Sequence, residues 1–130
     1  MAYVVVRPGE LEWAERPSRG EGPPRGSSDL TTAAGLANSR ARLWRLPPGS
    51  RGVRHAERVQ EEVFLVLAGS LTMLLGDPPE RVELEPHALV KVEPGTGLQL
   101  RNEGREETLV FVYGAPPVTG EVDYLDDVEP

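Results

Sequence analysis

From about residue 40 onward, short apolar runs alternate with turn residues. Ser39 to Leu46, SRARLWRL, alternates well enough to predict a strand, and Pro47-Pro48-Gly49-Ser50 predicts the turn that ends it. Further strands are predicted at Val53–Glu57, Glu62–Leu67, Leu71–Leu75, Arg81–Leu84, Ala88–Val92, Leu98–Arg101 and Thr108–Tyr113. Between them stand Gly69-Ser70, Asp77-Pro78-Pro79-Glu80, Glu85-Pro86-His87, Glu93-Pro94-Gly95-Thr96-Gly97 and Asn102-Glu103-Gly104. Many short strands separated by turn signals argue for an all-β fold, an antiparallel sandwich or barrel. No long helical periodicity appears after residue 50.

The two ends read differently. Tyr3-Val4-Val5-Val6 predicts a first strand, ended by Pro8-Gly9, and Arg16 to Ser28, RPSRGEGPPRGSS, predicts a flexible surface loop. Leu30 to Leu36 is ambiguous. Residues 1–38 are therefore expected to be an N-terminal strand and loop, 39–117 the barrel, and 118–130, VTGEVDYLDDVEP, an acidic tail. The spacing of Val122, Tyr124 and Leu125 leaves room for that tail to dock on the body or on a partner subunit. Val63, Leu65 and Leu67 are apolar on one strand face, and Phe64 and Val66 on the other. A strand apolar on both faces is central in a sandwich or covered by another subunit, so a homodimer is expected.

Composition narrows the function classes. The 130 residues suit one domain, and Gly (14) and Pro (13) favour strands and turns over long helices. The net charge is −7, with most basic residues in the first half and most acids in the second. An acidic chain with few aromatics suits nucleic acid poorly, because phosphate contacts need clustered cations, and the early Arg residues are scattered, expected to be solvated or ion-paired rather than a phosphate patch. There is no Cys, which removes thiolate metal sites, disulfides and a Cys nucleophile. No apolar run approaches the ~18 residues of a membrane span, and the N-terminus lacks a signal-peptide pattern, so a cytoplasmic location is expected.

The concentrated chemistry lies in Gly49 to Gly69, GSRGVRHAERVQEEVFLVLAG. Residues two apart on a strand share a face, so His55 and Glu57 can point together into a cavity, where Glu62 can join them. Alternation turns Glu61 outward and Glu62 inward. One imidazole and two carboxylates can hold a divalent ion with waters, and the oxygen-rich set moves preference toward manganese, magnesium, calcium or zinc. Without metal, His55 hydrogen-bonded to a carboxylate is a structural arrangement. Two close carboxylates also raise one another's proton affinity and can serve acid–base chemistry.

The same stretch resembles the cupin family, small β-barrels of jelly-roll type. The family's first motif runs Gly, five residues, His, one residue, His, three or four residues, Glu, six residues, Gly. Here it reads Gly49, His55, Glu57, Glu62, Gly69 at matching spacing. The second motif survives in spacing as His87, Glu93, Gly95, Leu98 and Asn102, with only Gly95 and Asn102 keeping their identity. The resemblance covers about residues 40–113 and implies a cupin-type antiparallel barrel. In metal-holding cupins the ligands are three His and one Glu. By position His55 and Glu62 remain, Glu57 replaces the second His, and Leu98, which cannot ligate, replaces the third.

Two function classes follow. One is a barrel that binds a small molecule without the full family metal chemistry, with no cofactor. The other is a metal-assisted or acid–base enzyme, dioxygenase-like or isomerase-like, using His55, Glu57 and Glu62 and one divalent ion, with Mn, Zn and Fe not distinguished. Leu98 favours the first. Leu98, Phe64 and Trp44 are either core residues or the apolar wall of the ligand pocket. Arg42, Arg54 and Arg101 are surface residues or guanidinium groups at a cavity mouth. Gln99 is expected to face away from Leu98, and His87 to be exposed in its turn.

Overall fold

The structure, a computed structural model, describes residues 2–130. Eleven strands run in the order β1 (Ala14–Arg16), β2 (Arg25–Asp29), β3 (Arg40–Leu46), β4 (His55–Glu57), β5 (Glu61–Ala68), β6 (Leu71–Leu75), β7 (Glu80–Leu84), β8 (Leu89–Val92), β9 (Leu98–Arg101), β10 (Thr108–Ala115) and β11 (Val122–Tyr124). They form two antiparallel sheets, ordered β1-β2-β3-β10-β5-β8 and β11-β4-β9-β6-β7. These face each other as a jelly-roll barrel, the all-β architecture expected from the pattern. One helix, α1 (Leu30–Ala34), joins β2 to β3, and its first turn is capped by the Asp29 carboxylate accepting from the Thr32 amide. No helix among the described residues is long and apolar enough to cross a membrane.

Strand β10 organises the larger sheet because it pairs with both β3 and β5. Val110 lies between Trp44 and Val66, Val112 between Arg42 and Phe64, and Gly114 between Arg40 and Glu62. All nine residues face the interior, since side chains two apart share a face. The lower rows pack against Leu71, Met73, Leu98 and Leu100 of the smaller sheet. Val66, Leu71, Met73 and Val110 are fully buried. On the outer face of β5, Val63 and Leu65 are half-buried and Leu67 is exposed.

Three expectations are corrected. Tyr3 to Val6 form no strand, and Tyr3, Val4 and Val5 are exposed. β propensity without a ladder partner does not make a strand. Arg25–Ser28, expected in the surface loop, belongs with Asp29 to β2, paired to β3 from Gly26–Arg45 to Asp29–Arg42. Its small residues fit there, because Trp13 already packs 3.4 Å from where a Cβ on Gly26 would stand. Arg54 and Arg101 are neither at the cavity mouth nor on the surface. The C-terminal segment returns along the smaller sheet and buries them. Arg54 donates to the Asp126 and Gly76 carbonyls and to Asp77. Arg101, fully buried, donates to Gln99, the Val128 carbonyl and Glu129. Gln99 does face away from the core, as alternation requires, yet the same tail covers it. His87 is exposed, with a left-handed φ of 75°.

Gly69 shows why the first motif ends on glycine. Its φ is 73°, and a Cβ would stand 2.4 Å from the Glu107 carbonyl oxygen, a backbone atom that cannot swing away. Gly69→Ala is expected to cost roughly 2 kcal/mol or more, from left-handed strain plus overlap. Gly9→Ala, with nothing within 4 Å, is expected to change little. Chemical denaturation of the two variants checks the difference, and equal midpoints would refute it.

Candidate functional site

The polar residues of the interior collect at one end of the barrel. β4 projects His55 and Glu57 from the smaller sheet, and β5 projects Glu62 from the larger sheet facing it. One ligand atom from each lies within 4.8 Å of the others. His55 Nε2 is 3.4 Å from Glu57 and 4.0 Å from Glu62. His55 Nδ1 is 2.9 Å from the Val53 carbonyl oxygen. A carbonyl only accepts, so Nδ1 carries the hydrogen and Nε2 is turned to the carboxylates. Glu61 is exposed and Glu62 is buried, the expected alternation.

Burial dominates the electrostatics. It pushes the Glu57 carboxyl above its ordinary range, against the pull of His55 and Arg40. Burial together with the Glu57 charge pushes Glu62 up to about 7, again against Arg40. Glu62 Oε1 is buried without a hydrogen-bond partner. An unpaired buried carboxylate oxygen is costly, so the group favours a proton, a cation or a ligand donor there. The donor set fits a divalent cation. It joins one imidazole, oriented through its far nitrogen by a backbone carbonyl, to two carboxylates.

The group opens into a cavity of about 400 Å³ between the sheets. Phe64 and Trp44 line it. Leu98 does not. It pairs in register with His55, but its side chain is packed into the core and 1% exposed. The position that would hold a fourth ligand is thus solid hydrocarbon. Arg42 lines the cavity, and so do Arg16, Arg25 and Arg40, three of the early arginines expected to be scattered and solvated or ion-paired. The signal for Arg40 was present: Arg40, Arg42, Trp44 and Leu46 alternate along one face of β3. Val122 and Tyr124 also form part of the wall, because β11 pairs with β4 and sets Tyr124 opposite His55. The tail therefore docks on the body.

The model of the cupin domain family matches residues 42–113. The chain belongs to the cupin family. Among solved structures it resembles a sugar phosphate isomerase from a cupin superfamily, from Silicibacter pomeroyi, at 24% identity and TM-score 0.79, over 95% of this chain and 83% of that one. It also resembles a predicted oxalate decarboxylase from Thermotoga maritima, at 18% identity and TM-score 0.76, over 87% of this chain and 99% of that one. KdgF from Halomonas sp. is similar at 16% identity and TM-score 0.68, over 89% and 94%. At these identities the likeness is one of fold. No curated protein sequence matches the chain.

The Glu62 shift has a readable sign. A folded-state value of about 7 lies above the ordinary 4.5, so the metal-free folded protein holds more protons than the unfolded chain between those pH values. Stability from this group is complete below the lower value and is lost as pH rises through about 7. The full loss is on the order of 3 kcal/mol. Thermal melts from pH 5 to pH 8 should show a decline in the native protein that is clearly flatter in Glu62→Gln. Parallel profiles would contradict the assignment.

Proposed function

We propose that this cupin binds a small organic molecule in the cavity between its sheets, with His55, Glu57 and Glu62 at the polar end. The observation that carries the reading is their convergence on one point in a cavity of about 400 Å³. That volume lies in the range of small-molecule sites, roughly 300–1,000 Å³. The apolar contacts come from Phe64 and Trp44, and orientation comes from the polar end. Two fold neighbours are named as a sugar phosphate isomerase and a predicted oxalate decarboxylase, which supports a small molecule as the ligand.

Trp44 reports on occupancy. It lines the cavity, and the chain's other tryptophan, Trp13, does not. In a Trp13→Phe background, titration with neutral sugars, phosphorylated sugars and hydroxy acids should give a saturable change in Trp44 emission for at least one compound. Glu57→Gln should weaken that binding about tenfold, the loss of one charge-assisted hydrogen bond. A panel without any saturable response would count against the proposal.

The unpartnered Glu62 Oε1 favours a second reading, in which the same three residues hold a divalent cation and act on the ligand. When bound, such an ion supplies a positive charge that stabilises negative charge on a ligand oxygen. His55 would ligate through Nε2, its ring held by the Val53 carbonyl, and Glu57 and Glu62 through their carboxylates. Without the ion, Glu62 is placed to accept or return a proton near neutral pH, the acid–base form of the same reading. Mn²⁺ or Zn²⁺ at a hundredfold excess over its Kd should then stabilise the fold by about 2–3 kcal/mol. Glu62→Gln and His55→Ala should abolish that gain. Melting curves unmoved by Mn²⁺, Zn²⁺ and Fe²⁺ would remove the cation and leave the acid–base form.

A further inference from the structure

We infer that Arg16, Arg25, Arg40 and Arg42 form an anion subsite in the cavity, which selects ligands carrying a phosphate or carboxylate group at the end remote from Glu62. The inference rests on the proposed cavity reading and names the ligand class for it.

All four arginines line the same cavity. Strand register explains why. β1 sets Arg16 opposite Arg25 on β2, and β3 carries Arg40 and Arg42 two apart on the inward face. Elsewhere in the chain Arg19, Arg45, Arg51, Arg54, Arg58 and Arg101 each sit in an ion pair. None of the four cavity arginines does so among the described residues. Arg25 is buried, donates to the Pro17 carbonyl and lies 4.5 Å over the Trp44 ring. Arg42 lies 5.8 Å from the same ring and donates to the Ser27 hydroxyl. Asp29 is the acid nearest Arg42 in influence, but its carboxylate is committed to the Thr32 amide and hydroxyl.

The opposite charges nearby, Asp29 acting on Arg42 and the Glu57–Glu62 pair acting on Arg40, are outnumbered on this wall and make no ion pair with it among the described residues. Burial and the Arg16 charge weaken the hold of Arg25 on its proton, and burial with the Arg40 and Arg16 charges does the same to Arg42 against the opposing charge of Asp29. A ligand oxyanion would relieve that repulsion and meet guanidinium donors in fork geometry. The distance suits a short molecule. Arg40 and Glu62 flank Gly114, so their backbones are two strand spacings apart, roughly 10 Å. Gly114 has no side chain of its own, and the Gln60 amide packs over it, 2.6 Å from where a Cβ would stand.

Calorimetric titration of the full chain at low ionic strength tests this, with glycerol 3-phosphate beside glycerol and inorganic phosphate beside acetate. The charged probe is expected to bind at least tenfold tighter than glycerol. Arg40→Gln and Arg42→Gln should each remove most of that advantage, and Arg105→Gln, off the cavity, should leave it. Phosphate binding tighter than acetate identifies a phosphate ester, and the reverse identifies a carboxylate. A native protein that does not distinguish glycerol 3-phosphate from glycerol overturns the subsite, whatever the variants do. If that happens while neutral compounds still perturb Trp44, the subsite alone fails. If Trp44 responds to nothing, the cavity reading fails with it.

Discussion

The register of β10 is the constraint on which the rest of the molecule depends. It is hydrogen-bonded on both sides, to β3 and to β5, so it sets three strands in one frame. Slipping β10 by one residue would turn Val110, Val112 and Gly114 outward and bring Leu109, Phe111 and Tyr113 in. Both sets are apolar, so burial alone discriminates weakly between them. The polar ends discriminate strongly. In the observed register Glu62 meets His55 and Glu57 from the facing sheet. In the slipped one Tyr113 or Ala115 would stand between Arg40 and Glu62 in place of Gly114, where the Gln60 side chain leaves no room for a Cβ. The turn at Gly69, whose conformation excludes a Cβ, holds the end of β5 in the same frame.

Along each inward row the chemistry therefore changes in one direction. The Trp44–Val110–Val66 row is aromatic and aliphatic. The Arg42–Val112–Phe64 row is mixed. The Arg40–Gly114–Glu62 row carries opposite charges with a glycine between them. The gradient opens the barrel at one end, because charged groups cannot be closed into a dry core without partners. It also accounts for Leu98. That residue belongs by position with the metal ligands of other cupins but lies within the apolar part of the gradient, where it extends the core up to His55.

Most of the barrel was legible in the chain, and the reason is local. From β3 to β10 every connection but Arg58-Val59-Gln60 carries glycine, proline or asparagine, and the alternation within the strands specifies a buried face. His55, Glu57 and Glu62 were legible too, since a period of two suffices to bring them to one face. What was hidden depends on partners far away in sequence. Arg25–Asp29 has little strand propensity and becomes a strand because β3 and Trp13 flank it. Tyr3 to Val6 has the propensity and lacks the partner. Arg54 and Arg101 look like surface residues until residues 125–129 return and cover them, a contact that no local pattern encodes. Arg16 and Arg25 join the site only through β1 and β2.

That hidden contribution alters the electrostatic picture of the whole chain. A net charge of −7 would by itself repel an anion. The long-range field is nevertheless screened over about 8 Å at physiological salt, and exposed acids act mainly on solvent. The tail's acids are further spent on cations: Glu129 on Arg51 and Arg101, Asp123 on Arg58, Asp127 on Arg19. Those pairings leave the cavity's own charges to govern what enters it. There the basic wall makes no ion pair among the described residues, and the acidic end holds a carboxyl whose burial favours the protonated form. At neutral pH the interior field is therefore more positive than the formal count of its side chains. An acidic protein can in this way keep a site for anions, provided its acids are tied to arginines elsewhere on the fold.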